Sequence, residues 1–420
     1  MKVKLGHRAA LVCALFIAAA CGGPGASPTG SPSASPTTPA SASASASASP
    51  TASVSESPPA SPTASPTASP TAEPTATPTP PPPTAFAATG SMGTRRHGAA
   101  AVLLADGRVL IAGGATEPAN VHDSAETYDP GTGEFTPTGP MSEPRKYMPA
   151  VLLADGRVLI PGGYTGEETA TASADLFDPA AGTFTPTGSM AVARGRFVAV
   201  LLDDGRVLVA GGQNEDGAVA TAEIYDPQTG LFTPTGPMHE GRESLRMVKF
   251  EGGRVVVTGG SDGEGNSTDS TEIWDPLTGT FGLIGPMSEA RDRHAMALLP
   301  DGRVLVAGGQ DGNRTLDSAD IFDPASGHTV WLPTTGNLVT ERYATMSATL
   351  HDGRVLICGG VDGDNLRSCE FFDPASDGFV AAPPMQDVRN GGTATVLQNG
   401  WVLVCGGTGD TRLRACELFR

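Results

Sequence analysis

The sequence predicts an all-β domain in which seven copies of one four-stranded antiparallel unit close into a ring, preceded by about 85 residues that belong to no fold. Three observations predict it. A double glycine recurs seven times at nearly constant spacing, a hairpin turn stands at the same offset in every copy, and the two chain ends carry complementary fragments of a single unit.

The double glycines are Gly113-Gly114, Gly162-Gly163, Gly211-Gly212, Gly259-Gly260, Gly308-Gly309, Gly359-Gly360 and Gly406-Gly407, at steps of 49, 49, 48, 49, 51 and 47 residues. A period near 50 residues marks a repeat of one supersecondary unit that cannot bury its faces alone. Each unit opens on a Met, or on Leu338 in one copy, four residues ahead of an Arg: Arg96, Arg145, Arg194, Arg242, Arg291, Arg342 and Arg389. Ten residues further comes a turn, such as Asp106-Gly107, Asp155-Gly156 or Asn399-Gly400. Asp-Gly and Asn-Gly between apolar runs favour a tight hairpin, because both central residues of a type I′ turn need positive φ.

The strand after that turn, for instance Arg108-Val109-Leu110-Ile111-Ala112, is apolar without alternation, which predicts a sheet covered on both faces. Side-by-side blades of a β-propeller supply such cover. A loop of variable length follows the glycines. A third strand then ends in an acidic residue, an aromatic and Asp-Pro, as in Glu126 to Pro130, Asp175 to Pro179 and Glu370 to Pro374. Proline stops a central strand, so it marks the turn into a short outer one, such as Phe135-Thr136-Pro137-Thr138. Residues Phe86 to Met92 read as an outer strand without a blade, and the last unit stops at Glu417-Leu418-Phe419-Arg420 without that strand. Joining the two closes a seven-bladed propeller over residues 86–420.

These motifs resemble kelch repeats, and the resemblance covers residues 86–420 and no more. One departure is that Phe135, Phe184, Phe232, Phe281 and Phe379 stand where the family usually has Trp. Propellers of this family include copper-radical oxidases resembling galactose oxidase, whose metal needs two Tyr, two His and a Cys linked to one Tyr. This chain has five Tyr, of which Tyr128 and Tyr225 occupy the repeated aromatic position, and no Tyr adjoins a His in sequence. His97 and His294 follow blade-start Arg residues, while His122, His239, His328 and His351 fall in turns, so the His read as isolated residues without metal-ligand spacing. No cofactor and no metal are therefore expected. The family also includes sugar mutarotases, which need only a carboxylate or His beside an Arg at the central mouth.

Kelch adaptor proteins present some of the matching Arg side chains to acidic ligand groups at the channel mouth. The resemblance thus makes Arg96, Arg145, Arg194, Arg242, Arg291, Arg342 and Arg389 candidate ligand-binding residues, since guanidinium suits bidentate contact with carboxylate or phosphate. The other reading of the same seven residues is structural: each ties its blade together through backbone carbonyls or an acidic side chain. Loops such as Asp262-Gly263-Glu264-Gly265-Asn266 resemble calcium loops but lack the terminal Glu of an EF-hand, and read as solvated turns.

Cys358 and Cys369 lie on the second and third strands of one blade, and Cys405 and Cys416 occupy the same places in the next. Other units carry Ala112 with Ala125 or Thr258 with Thr271 there, as expected of positions opposed across a hairpin. Two intrablade disulfides, Cys358 to Cys369 and Cys405 to Cys416, are predicted in an oxidising compartment. A zinc site is the rival, though the sequence has no Cys-x-x-Cys element to support it.

Residues 1–21 carry Lys2, Lys4 and Arg8, an apolar run from Ala9 to Ala20 and small residues before Cys21, the pattern of a secretory signal. Ala18-Ala19-Ala20-Cys21-Gly22 resembles a bacterial lipobox, which implies lipidation at Cys21. Residues 22–85 are almost wholly Ser, Pro, Thr, Ala and Gly, too poor in apolar side chains to offset the entropy of ordering, and are expected to form a disordered stalk. Of the 27 basic and 45 acidic residues only Lys2, Lys4, Arg8, Glu56 and Glu73 precede the repeats, leaving the repeat domain near −19. Such a charge argues against nucleic acid or an anionic membrane surface as partner. The sequence thus reads as an exported, lipid-anchored monomer whose propeller binds a protein or carbohydrate ligand without catalysis. A sugar-active enzyme is the alternative.

Overall fold

The structure is a computed structural model; it describes residues 84–327 and 329–420. The leader, Cys21 and nearly all of the predicted stalk lie outside the described residues, as does His328.

Seven four-stranded antiparallel sheets follow one another in chain order as blades 1 to 7. Blade 1 consists of Ala100–Leu103, Val109–Ala112, Ala125–Asp129 and Glu134–Pro137 from the inside outwards. Blade 7 takes its inner three strands, Thr393–Val396, Val402–Cys405 and Cys416–Phe419, from the C-terminus and its outer strand, Phe86–Ala88, from the start of the domain. Phe86 pairs with Phe419 and Ala88 with Glu417, so the ring closes as predicted.

The core lies between blades. One apolar cluster fills each of the seven interfaces: between blades 3 and 4, for example, Leu208, Ala210 and Ile224 meet Val255, Val257 and Trp274. Every residue of the second strands, such as Val109–Ala112 and Val304–Ala307, is buried because each blade is covered on both sides, which explains their lack of alternation. The repeated aromatic of the third strand packs on the outer-strand aromatic of its own blade, with Tyr128 and Phe135 ring centroids 4.9 Å apart and Phe177 and Phe184 4.8 Å apart. These rings face one another across paired strand positions, where aromatic side chains stabilise a sheet most.

The double glycines have two separate causes. The N–H of each second glycine donates to the carbonyl oxygen of the next blade's Arg, as from Gly114 to Arg145 (2.8 Å) and from Gly407 round to Arg96 (2.8 Å). A Cβ on each first glycine would fall no more than 2.8 Å from that same carbonyl oxygen. Both residues also hold positive φ, between 56° and 103°, so a side chain is excluded by contact and by backbone conformation together.

The seven Arg side chains are enclosed, at 0–1 % exposure, and so do not ring the channel mouth as ligand-binding groups. In each blade one guanidinium nitrogen donates to the first glycine's carbonyl oxygen and to a second carbonyl, as Arg96 does to Gly113 (2.7 Å) and Ser124 (2.8 Å). The other meets the acidic residue of the third strand: Glu126, Asp175, Glu223, Glu272, Asp320, Glu370 or Glu417, at 2.6–3.0 Å. The Arg precedes the first strand by four residues in six blades and by six in blade 2, on the segment that crosses from one blade to the next, and folds back into its own blade. That placement is the one the structural reading expects: both terminal guanidinium nitrogens of each Arg are engaged by buried partners of its own blade.

Cys358 and Cys369 are opposed in register and disulfide-bonded, as are Cys405 and Cys416, each pair with Cα atoms 4.2 Å apart. Uncharged pairs occupy the same register elsewhere, among them Ala112 with Ala125 and Thr258 with Thr271. Two disulfides suit an oxidising environment outside the cytoplasm.

Candidate functional site

Two residues past each clasp Arg, the chain reaches the central axis. The residues there are Gly98, Tyr147, Arg196, Ser244, Arg293, Ala344 and Gly391, all with φ between 49° and 66°. Each N–H donates to the carbonyl oxygen of its counterpart in the preceding blade, from Tyr147 to Gly98 (2.7 Å), then Arg196 to Tyr147 (2.9 Å), and finally from Gly98 to Gly391 (3.2 Å). Seven such bonds form a closed backbone ring around the channel mouth.

Glycine fits this left-handed position at no steric cost, and two blades have it. Tyr147, Arg196 and Arg293 hold it at a cost on the order of 1 kcal/mol each. Ser244 and Ala344 hold it too; Tyr147, Arg196 and Arg293 thereby place large polar side chains at a cavity of about 500 Å³, lined also by His97, Arg246, Tyr343, Thr345 and Asn390. The volume lies within the range of about 300–1,000 Å³ typical of small-ligand sites. A second cavity of about 230 Å³ shares His97, Tyr147 and Arg196 with it and adds Lys146, Tyr164 and Arg412.

His97 and Tyr147, from adjacent blades, meet here. His97 Nε2 and the Tyr147 hydroxyl are 2.7 Å apart, and His97 Nδ1 lies 2.9 Å from the Thr408 hydroxyl. Burial, reinforced by Arg412, pushes the imidazole down to about 4, so it is neutral near pH 7. Glycine makes room for it, because a Cβ on Gly391 would overlap the imidazole ring. The reading of His97 as an isolated residue is thereby corrected. The pair stands 50 positions apart in sequence, and only superposing successive repeats brings the two together.

The cations differ in how they are compensated. Arg196 meets Glu243 at 3.0 Å, and Arg293 lies 3.5 Å from Asp292. Arg246 opens the first strand of blade 4, half-buried at the cavity, and its one protein hydrogen bond among the described residues goes to the Leu245 carbonyl oxygen (3.1 Å). Burial lowers its pKa; attraction to Asp292 opposes this, and the smaller repulsion from Arg293 adds to it. Burial raises the Asp292 carboxyl, and Arg293 acts against that. The Thr345 hydroxyl, also at this cavity, has no hydrogen-bond partner among the described residues.

His294, the other residue placed just after a clasp Arg, is fully buried, with Nε2 2.8 Å from the Thr258 hydroxyl. The Asp262 loop satisfies itself: its carboxylate accepts from the N–H groups of Glu264 (2.8 Å) and Asn266 (3.1 Å), as a solvated turn would. Among the described residues no group of three or more His, Cys, Asp or Glu is placed to hold a metal.

The Kelch motif model matches residues 194–239, 252–288, 297–328 and 342–386, the start of blade 3 through blade 6. The molecule is thus a seven-bladed β-propeller carrying Kelch motifs. Among solved structures it is similar to a fungal alcohol oxidase of the AA5 family in complex with copper, at 18 % identity and a TM-score of 0.65, over 80 % of this chain and 75 % of that one. At that identity the likeness is one of fold. No curated protein matches the chain.

Proposed function

We propose that the chain is an exported protein, anchored through a lipid on Cys21, whose propeller is a non-catalytic binding module taking a carbohydrate or protein ligand at the central cavity. The observation that carries this reading is the left-handed Tyr147, Arg196 and Arg293, which keep polar side chains at the mouth where glycine fits without strain. The disulfides agree with export, and an acidic domain near −19 disfavours nucleic acid.

The alternative, a sugar-active enzyme, draws on the His97–Tyr147 contact, a neutral imidazole beside a phenol. A galactose oxidase-like copper site does not fit the residues present. The cavity holds one histidine, already engaged by Tyr147 and Thr408, and the four described cysteines are in disulfides.

A thermal-stability screen with sugars, cell-wall fragments and peptides tests the proposal, because anything that binds only the native state raises its melting temperature. Ligands that stabilise the parent and lose their effect in Tyr147→Ala support a binding site at the mouth. Stabilisation that is indifferent to every cavity substitution removes it, and turnover of a stabilising sugar replaces the binder with the enzyme.

A further inference from the structure

Seven repeats within one chain allow each position to be compared with six counterparts, and at the cavity one departure stands out. Four residues after the clasp Arg the other blades carry Ala100, Pro149, Val198, Ala295, Met346 and Thr393, none of them charged. Blade 4 carries Arg246, opposed to Thr258 as Ala100 is opposed to Ala112. The fold therefore has no need of a guanidinium at this place. It nevertheless bears the desolvation of one, with Asp292 attracting it and Arg293 repelling it, and without a carboxylate within ion-pair distance among the described residues.

The local charge is informative in sign and in size. Among the charged residues lining this cavity and their ion-pair partners, Arg196, Arg246 and Arg293 contribute three positive charges, Glu243 and Asp292 two negative ones, and His97 is neutral near pH 7. One positive charge remains, in a domain that is near −19 as a whole. A single carboxylate matches it, whereas a phosphate dianion exceeds it. The surrounding acidity repels a polyanion of closely spaced charges, so the charge on the ligand is isolated. The same cavity is lined by Tyr147 and Tyr343, whose rings lie 5.1 Å from the Arg196 guanidinium and 6.0 Å from that of Arg293, together with Asn390 and the Thr345 hydroxyl, which has no partner among the described residues. Flat aromatic faces with neutral donors and acceptors suit the hydroxyl-covered ring of a sugar better than a peptide side chain, which offers only its acid group.

We infer that the cavity is a subsite for an acidic sugar, a hexuronate residue whose carboxylate is held by Arg246 with support from Arg293. The inference rests on the binding-module reading and narrows it to one chemical class.

Titration calorimetry on the purified protein with glucuronate, its methyl ester, glucose, glucose 6-phosphate and a short peptide containing one glutamate tests it. Glucuronate is expected to bind at least tenfold more tightly than the ester or glucose, and Arg246→Met to weaken it tenfold or more while leaving the thermal midpoint unchanged. Arg246→Lys is expected to recover part of the loss, and Arg108→Met, on a hairpin turn at the far end of its blade, to change nothing. Equal affinity for glucuronate, ester and glucose would overturn the carboxylate assignment yet leave the binding module intact. Preference for the phosphate or the peptide would overturn the sugar-acid class. No binding of glucuronate, with another ligand from the thermal screen still bound at the mouth, would also overturn this inference alone. Arg246→Met that lowers the thermal midpoint as far as a clasp substitution does would show the residue to be structural and overturn it as well.

Discussion

Arginine stands in two contrasting settings in this molecule, and exposure separates them. The clasp residues are enclosed by their own blades, where removing one partner strands the other in a medium of low polarity. Replacing Arg291 by Met leaves Asp320 buried and unpaired, and is expected to cost about 3–5 kcal/mol. Comparing urea midpoints with Arg246→Met checks this, because the account requires a large shift in the first and almost none in the second. His97 supplies a second expectation at this scale. Its folded pKa is depressed to about 4, so the unfolded chain takes up the proton first as pH falls. The contribution of His97 to stability is fully present above about 6.5 and is lost as pH falls from there towards 4. The imidazole should titrate near 4 by NMR, and His97→Gln should reduce the acid slope of stability in that window. His294, depressed in the same direction, keeps part of the slope. A titration midpoint near 6.5 for His97 would show the ring to be solvated.

Among the elements, the glycine pair and the cross-strand disulfide are the devices most open to test. Gly259→Ala puts a Cβ against the Arg291 carbonyl oxygen at positive φ, whereas Gly302→Ala, in a hairpin turn, meets nothing within 4 Å and carries only the backbone penalty. The first should destabilise the protein well beyond the roughly 1 kcal/mol expected of the second, as read from denaturation midpoints. Replacing Cys358 and Cys369 by Ala opens a loop of 11 residues' separation and should cost about 2–4 kcal/mol. The same midpoint should then respond less to reductant than that of the parent. Strand number, hairpin turns, the opposed cysteines and ring closure were all legible in the sequence, because each depends on a local pattern repeated seven times. The site was not. The Arg pattern was visible, but the acidic partners sit some 30 residues away on the third strand, so burial and exposure could not be told apart from the repeat alone. His97, Tyr147 and Arg246 attract no notice singly, and each becomes informative only against its counterparts in the other blades.

On the scale of the whole molecule, no blade stands alone. Each interface holds one apolar cluster, the Gly-to-Arg bonds link neighbouring blades, and the backbone ring at the mouth is complete only when blade 7 meets blade 1. The strand at Phe86–Ala88 joins the two ends, with Thr84 and Ala85 both donating to the Arg420 carbonyl oxygen and Met92 buried in the closing interface. The central cavity belongs to this ring, since Tyr147, Arg196, Arg246 and Arg293 are held by four successive blades. Urea unfolding of the chain with and without residues 84–92, followed by far-ultraviolet circular dichroism, therefore tests the account most directly. It predicts that the deletion lowers the unfolding midpoint of the entire β signal, because an open ring exposes the flank of blade 7 to solvent. An unchanged midpoint would contradict it, showing that the blades hold together without closure.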